Sequence, residues 1–262
     1  MKAKASKKIA SSEPPKKVTS PAKDYFQTSE RNLGLFNFVI DTVIISDFVS
    51  HLAQRALNGE ELDKESTPRS LLGKEPGTRT RHLRKYRQDI LQTFFARSVD
   101  NFEVYLVDIL REVLRRRPEI LRSRQQNVTL EYVLQFPSID NLVQDIIEGK
   151  VNSLSYKGFS ELEQWYEEKG IPLVVENETR QTIAELIAMR NIIVHNRGRI
   201  DERYIRTIPA TTYKIGQLRD LEVDDLFKAV AVLNIVVSAT DHEIARKFGL
   251  KTNVLKKEKA MI

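Results

Sequence analysis

Three polar residues near the end of one apolar segment have side chains that suit proton transfer and phosphate binding. They are Arg190, Asn191 and His195, and the residues around them are mostly apolar. Histidine exchanges protons close to neutral pH because its reference pKa is about 6.5. Arginine stays charged, and its planar fork can bind two phosphate oxygens at once. The segment therefore holds a proton carrier and a phosphate-binding cation.

Metal-free cleavage of RNA is a reaction that these side chains suit. A base takes the proton from the ribose 2′-hydroxyl, an acid protonates the departing 5′-oxygen, and a cation stabilises the charge on the phosphorane. Histidine can make the proton transfers and arginine can supply the cation. We therefore treat Arg190 and His195 as candidate catalytic residues, with Asn191 beside them.

The spacing of these residues indicates that one chain does not complete the site. Asn191 and His195 are four positions apart, so they share one face of a helix. Arg190 and His195 are five positions apart, which is about 140° around the helix axis. A second copy of the chain, related by a two-fold axis, could bring both pairs to one cleft.

A structural role for the same residues stays open as an alternative. His195 lies near the predicted C-terminal end of a helix, where the helix dipole stabilises a cation. Arg190 could pair with Glu185 or with a carboxylate on another helix. In that case the segment would belong to a non-catalytic interaction module.

The composition excludes several classes of site. The chain has 262 residues and no cysteine, which excludes disulfides, Cys-ligated zinc and thiol nucleophiles. The net charge is +6, and residues 1–23 account for all of it with seven lysines and one glutamate. Because the remaining residues are neutral in sum, an RNA site in the body of the chain must come from local clusters of basic residues.

Both ends of the chain have the composition of tails. Residues 1–28 are rich in Lys, Ser, Ala and Pro and are predicted to be disordered, and residues 251–262 form a predicted basic tail. No apolar h-region follows the first lysines, and no uncharged run reaches the roughly 18 apolar residues that span a bilayer. We therefore expect no membrane contact and a cytoplasmic location.

Apolar spacing of three and four residues predicts an all-α fold with little strand. A loop is predicted at 58–80, a turn or extended piece at 150–157, and irregular chain at 199–221. The predicted helices cover residues 32–57, 81–117, 129–136, 138–149, 158–169, 177–196 and 224–248.

Two groups of arginines are candidate RNA contacts. One group precedes Pro118, and the other follows His195. For the group before Pro118, the alternative is a solvated helix end with local ion pairs. The residues are Arg115, Arg116, Arg117, Arg197 and Arg199.

The motif resembles that of the HEPN superfamily. An arginine, a polar residue directly after it, and a histidine after four to six intervening residues near the end of a core helix form the HEPN signature. The chain is most similar to the group called RiboL-PSP-HEPN, through residues 102–110, residues 151–158 and residues 190–201. The likeness covers about residues 85–210 of one HEPN-like domain at about 29–250.

The resemblance implies a helical bundle that forms a homodimer. It implies a metal-independent endoribonuclease that cleaves single-stranded or looped RNA and leaves a 2′,3′-cyclic phosphate. Arg190 and His195 would be catalytic, and Asn191 would orient the histidine or a phosphate. Members of the family often act in toxin–antitoxin, defence and RNA-processing systems, so an antitoxin or regulatory protein is an expected partner. Some members lack activity and act as interaction modules. We expect no cofactor and no metal.

Overall fold

The computed structural model describes residues 15–60, 67–68, 77–123 and 127–255. Over these residues the chain folds into helices, with a pair of two-residue strands and a 3-10 turn at Pro118–Leu121. The prediction of an all-α fold is confirmed. The elements are α1 (Ser20–Leu57), α2 (Thr78–Lys85), α3 (Arg87–Arg116), α4 (Leu130–Val133), α5 (Ile139–Ser155), α6 (Phe159–Glu168), α7 (Asn177–Asn196), α8 (Glu202–Thr207), α9 (Val223–Phe248), β1 (Lys17–Val18) and β2 (Asn253–Val254).

Helix α3 is the centre of the bundle. The first half of α1 and helices α5, α7 and α9 all pack against it. Its apolar residues recur at three- and four-residue spacing, and 13 of its 30 residues are buried. Burial of each large apolar side chain stabilises the fold by about 1.5–3 kcal/mol. The buried residues include Leu91, Phe95, Val99, Phe102, Tyr105, Leu106, Ile109, Leu110, Val113 and Leu114.

The prediction of a disordered tail to residue 28 is wrong for residues 15–28. Thr19 caps α1, because its side chain accepts the N–H of Ala22 at 3.4 Å. Tyr25 and Phe26 are buried, and the Tyr25 hydroxyl donates to the side-chain oxygen of Asn234 at 2.9 Å. The Lys- and Pro-rich composition of this segment suggested disorder, although a helix begins within it. Residues 1–14 lie outside the described residues.

The predicted C-terminal tail also contains ordered structure. Strand β2 pairs antiparallel with β1, so that Lys17 lies opposite Val254 and Val18 lies opposite Asn253. Val18 is buried, which ties the start of the chain to the bundle. The prediction of a tail is therefore wrong for these residues, and residues 256–262 lie outside the described residues.

Several predicted boundaries shift. The long helix predicted at 81–117 is broken at Tyr86, which separates α2 from α3. The turn predicted at 150–157 is mostly the last part of α5, and the irregular segment predicted at 199–221 contains α8. The helix predicted at 129–136 is a single turn, α4.

A buried carboxylate joins the start of α1 to α9. Asp241 accepts the backbone N–H of Thr19 at 3.0 Å and also the Thr19 hydroxyl. Burial raises the pKa of Asp241, although the bonds from Thr19 act in the opposite direction. Since its folded-state pKa lies above its unfolded value, Asp241 contributes most stability when it is protonated.

We expect Asp241→Asn to remove a pH-dependent part of the stability. The free energy of unfolding of the wild type, minus that of the variant, should fall as the pH rises above the ordinary Asp value of 3.8. It should level off once the pH exceeds the raised folded-state pKa. Denaturant titrations across this range test it. Thr19→Val keeps the carboxyl group and should keep the pH dependence, whereas a difference for Asp241→Asn that stays constant with pH would contradict the account.

The second half of α1 extends beyond the bundle and exposes part of its apolar side chains. Among the described residues, α1 is the one helix long and apolar enough to cross a membrane by length and composition, with a window of mean hydropathy 1.6 that is only 11% buried. The sequence showed no uncharged run there because Asp41 and Asp47 interrupt it. The cytoplasmic location stays a prediction.

Candidate active site

Helix α7 carries the motif, and it spans the predicted residues 177–196. One side of it is anchored in the core, where Ile183, Met189 and Ile192 are buried. The polar residues of the motif lie on the remaining sides. The packing of α7 against α3, α8 and α9 therefore sets where these polar side chains lie in the fold.

The end of α7 is held in one conformation. Arg197 and Gly198 both adopt positive φ values, 53° and 73°, and the N–H of Gly198 donates to the carbonyl of Ile192 at 2.9 Å. A Cβ atom on Gly198 would lie 2.8 Å from Nε2 of Gln92 on α3, so a glycine fits this close approach. The Asn196 side chain also donates to the carbonyl of Arg199 at 2.7 Å. These contacts fix the helix end that bears His195.

Arg190 is held by groups on α3 and on its own helix. Its Nε donates to Oδ1 of Asp100 at 2.5 Å, and its Nη1 donates to Oδ1 of Asn191 at 3.0 Å. Its Nη2 lies 4.0 Å from Oε2 of Glu103. These contacts fix the direction of the guanidinium. The Arg190 side chain is 24% exposed, so it remains open to solvent. The carboxylate partner that the sequence left open is Asp100, not Glu185.

Arg190 faces an open cleft of about 510 Å³ with an acidic rim. Asp100, Glu103 and Asp108 line it together with apolar side chains such as Leu154 and Phe159. Burial raises the pKa of Glu103; Arg190 lowers that pKa, and Asp100 adds to the rise. A protonated Glu103 would repel a phosphate less than an ionised one.

His195 is exposed at the end of α7. Its side chain forms no hydrogen bond or ion pair with any residue in the described ranges of the chain. The neighbouring Val194 is 51% exposed, so the surface beside the histidine is apolar. An exposed imidazole without a bonding partner is available to exchange protons with a bound molecule.

Asn191 acts on the arginine instead of the histidine. Its side chain accepts from Arg190, and no side-chain hydrogen bond joins it to His195 within the described structure. It also lines a smaller cavity of about 150 Å³, with Asp201 and Tyr204. Of the two roles considered for Asn191, orienting the histidine is not supported by these contacts.

The first arginine group is largely paired with carboxylates. Arg115 contacts Glu148 at 3.0 Å, and Arg117 contacts Glu119 at 3.4 Å. Arg116 is exposed and has no partner among the described residues. The alternative of a helix end with local ion pairs therefore describes most of this group.

The second arginine group lies next to the motif. Arg197 is exposed and caps α7. Arg199 is exposed and donates through Nη1 to the carbonyl of Gly216 at 3.0 Å. Both lie within four positions of His195, so they are better placed than the first group to contact a substrate there.

Two residues of the site did not emerge from the sequence. Asp100 and Glu103 lie three positions apart on α3, which places them on one side of that helix. The sequence shows that these two acidic residues share one side of a helix. It does not show that they contact Arg190, because 90 residues separate Asp100 from Arg190 in the chain.

Comparisons with protein-family models, with curated proteins and with solved structures gave no match to this chain.

Proposed function

We propose that the protein is a metal-independent endoribonuclease of HEPN type, in which Arg190 and His195 act on RNA. The observation that carries this proposal is the state of His195, which is exposed and unpaired among the described residues. A histidine with a purely structural role is expected to be packed or hydrogen-bonded. The resemblance of residues 190–201 to the HEPN motif supports the same assignment.

The reaction divides between the two side chains. The ribose 2′-oxygen attacks the phosphorus and the bond from phosphorus to the 5′-oxygen breaks, which leaves a 2′,3′-cyclic phosphate and a free 5′-hydroxyl. The His195 imidazole takes the 2′-hydroxyl proton, or returns a proton to the 5′-oxygen. In a two-fold dimer, His195 of the partner subunit supplies the other transfer.

Arg190 would bind the phosphate that changes charge during the reaction. Its Nε is committed to Asp100 and one Nη1 proton to Asn191. The other Nη1 proton and the Nη2 protons remain for phosphate oxygens. Because Asp100 and Asn191 fix its direction, the guanidinium needs little reorganisation when the negative charge develops.

RNA cleavage by the purified protein in EDTA tests this function. We expect cutting of single-stranded or looped RNA in the presence of the chelator, because no step requires a metal ion. Intact RNA under all buffer conditions would overturn the proposal. Activity of this kind would fit a toxin or defence effector held in check by an antitoxin or regulatory protein.

A non-catalytic module for RNA or protein binding is the second candidate function, and one observation favours it. The guanidinium of Arg190 lies among Asp100 and Glu103, and Asp108 also lines its cleft. Two carboxyl groups at the guanidinium and a third in the cleft weaken phosphate binding. If no RNA is cut, this arrangement identifies Arg190 as a structural ion pair between α7 and α3.

A further inference from the structure

The projecting half of α1 has an exposed apolar stripe with a seven-residue repeat. The spacing alternates between three and four residues, which is the a and d pattern of a coiled coil. Thr42 is the one hydroxyl in the stripe. We call this surface the α1 stripe; its members are Leu35, Phe38, Thr42, Ile45, Val49, Leu52 and Ala56.

The α1 stripe is open over most of its length. Phe38 is 66% exposed, Ile45 is 51% exposed and Val49 is 57% exposed. From Leu35 to Ala56 the stripe extends over about 32 Å of helix at 1.5 Å per residue. A contiguous exposed apolar surface of this kind marks an interaction site.

Helix α2 covers the opposite side of α1. Asp47 accepts the backbone N–H of Thr80 at 2.7 Å and that of Arg79 at 3.3 Å, so it caps the start of α2 from another helix. A Cβ atom on Gly77 would overlap the Asp47 carboxyl group, so a glycine is required where α2 approaches α1. Asp47 belongs to the side of α1 away from the stripe, so the contact with α2 leaves the stripe open among the described residues.

A bilayer does not fit this part of the structure. A membrane-spanning α1 would carry α2 into the hydrocarbon, and α2 has the sequence Thr-Arg-Thr-Arg-His-Leu-Arg-Lys. A charged side chain at the bilayer centre is unfavourable by several kcal/mol. Asp41 is also exposed in the middle of the apolar segment.

We propose that the α1 stripe binds the α1 stripe of a second copy of the chain in an antiparallel pair. The proposal does not rest on the ribonuclease function. In the antiparallel register, Ile45 packs against Val49 of the partner subunit, and Thr42 packs against Leu52 of the partner subunit. Phe38 packs against Ala56 of the partner subunit, and the two-fold axis repeats each layer.

The charges beside the stripe select this direction. In the antiparallel pair, Asp41 lies beside Arg55 of the partner subunit, and the reciprocal pair forms on the other side of the axis. In a parallel pair, Asp41 would lie beside Ser46 of the partner subunit. Asp41 has no partner among the described residues, and Arg55, whose side chain is 29% exposed, contacts Glu60 at 3.0 Å. Complementary charges at such flanking positions set the orientation of paired helices.

This contact differs from the one that would join two copies of α7. Phe36 packs against Phe94 where α1 enters the bundle, and the stripe continues away from that point. An antiparallel pair therefore holds the two bundles at opposite ends of the paired helices. The stripe contact alone does not bring the two His195 side chains together.

Ile45→Glu is the variant that tests the stripe. Sedimentation equilibrium of the full chain should show self-association for the wild type, and roughly a hundredfold or greater weakening for Ile45→Glu, because an unpaired carboxylate would be buried in the contact. Leu134→Glu is a matched control directly after α4, where Leu134 is 73% exposed outside the stripe. It should associate like the wild type. Equal association of wild type and Ile45→Glu, or a monomeric wild type, would overturn the proposal.

Charge exchange tests the antiparallel direction. Asp41→Arg and Arg55→Asp should each weaken association, and the double variant should recover it. Failure of the double variant to recover would reject the antiparallel register. Flotation with vesicles of phosphatidylcholine and phosphatidylserine tests the lipid alternative, and binding that Ile45→Glu abolishes would overturn the proposal in favour of a membrane surface. None of these measurements uses RNA. A dimer formed through α7 would persist in Ile45→Glu, so the difference in association between that variant and the wild type reports the stripe contact alone.

Discussion

Replacing His195 by alanine is expected to reduce the rate of RNA cleavage by roughly 10²–10⁴-fold. The reason is that His195 is the proposed carrier of both proton transfers, and the described residues around it offer no substitute imidazole. The folded structure should be unaffected, because the His195 side chain is exposed and makes no hydrogen bond within the described ranges. Surface substitutions of this kind change stability by about 0.5 kcal/mol or less. Single-turnover cleavage rates and thermal unfolding of the two proteins provide the comparison.

His242→Ala is the matched control for this result. His242 is also exposed on a helix, α9, but it lies outside the motif. It should cleave RNA at the wild-type rate. Unchanged cleavage by His195→Ala would show that His195 does not take part in the reaction. Loss of cleavage together with a large fall in melting temperature would instead indicate a structural role for the histidine.

Arg190→Lys is expected to reduce cleavage by roughly 10²–10³-fold, the loss typical for removing one preorganised transition-state donor. Lysine keeps the positive charge but lacks the planar fork. It cannot hold Asp100 through one nitrogen and present others to a phosphate in fixed directions. The effect should appear mainly in the single-turnover rate at saturating RNA, because the charge that attracts RNA is retained.

Arg180→Lys serves as the control for the arginine variant. Arg180 lies on the same helix and contacts Glu163 at 2.6 Å, at a half-exposed position. That substitution should leave cleavage unchanged. If Arg190→Lys cuts RNA as fast as Arg180→Lys, the guanidinium does not act on the transition state, and the ion pair with Asp100 has only a structural role.

The helix that bears the candidate site could be predicted from the sequence because its signals are local. Apolar residues recur at helical spacing through 177–196, and Arg197-Gly198 ends the pattern. The partner of Arg190 could not be predicted in the same way. Its contact with Asp100 depends on how α7 packs on α3, and spacing within one helix contains no information about that packing.

Composition misled the prediction at the chain's ends. Lysines and prolines near residues 14–23 suggested disorder, whereas Thr19 caps a helix there and Tyr25 is buried. The apolar spacing of α1 predicted a helix correctly, but it did not show what covers that helix. A stripe that packs on its own bundle and a stripe that packs on a second molecule have the same pattern of residues.

The chemistry of the RNA ends tests the central claim most directly. Mass spectrometry of fragments produced by the wild-type protein in EDTA should show a 2′,3′-cyclic phosphate on one side of each cut and a 5′-hydroxyl on the other. Attack by the ribose 2′-oxygen, with His195 moving the protons, leaves no other pair of ends. Intact RNA, or fragments with a 3′-hydroxyl and a 5′-phosphate, would contradict the assignment of Arg190 and His195 to this reaction.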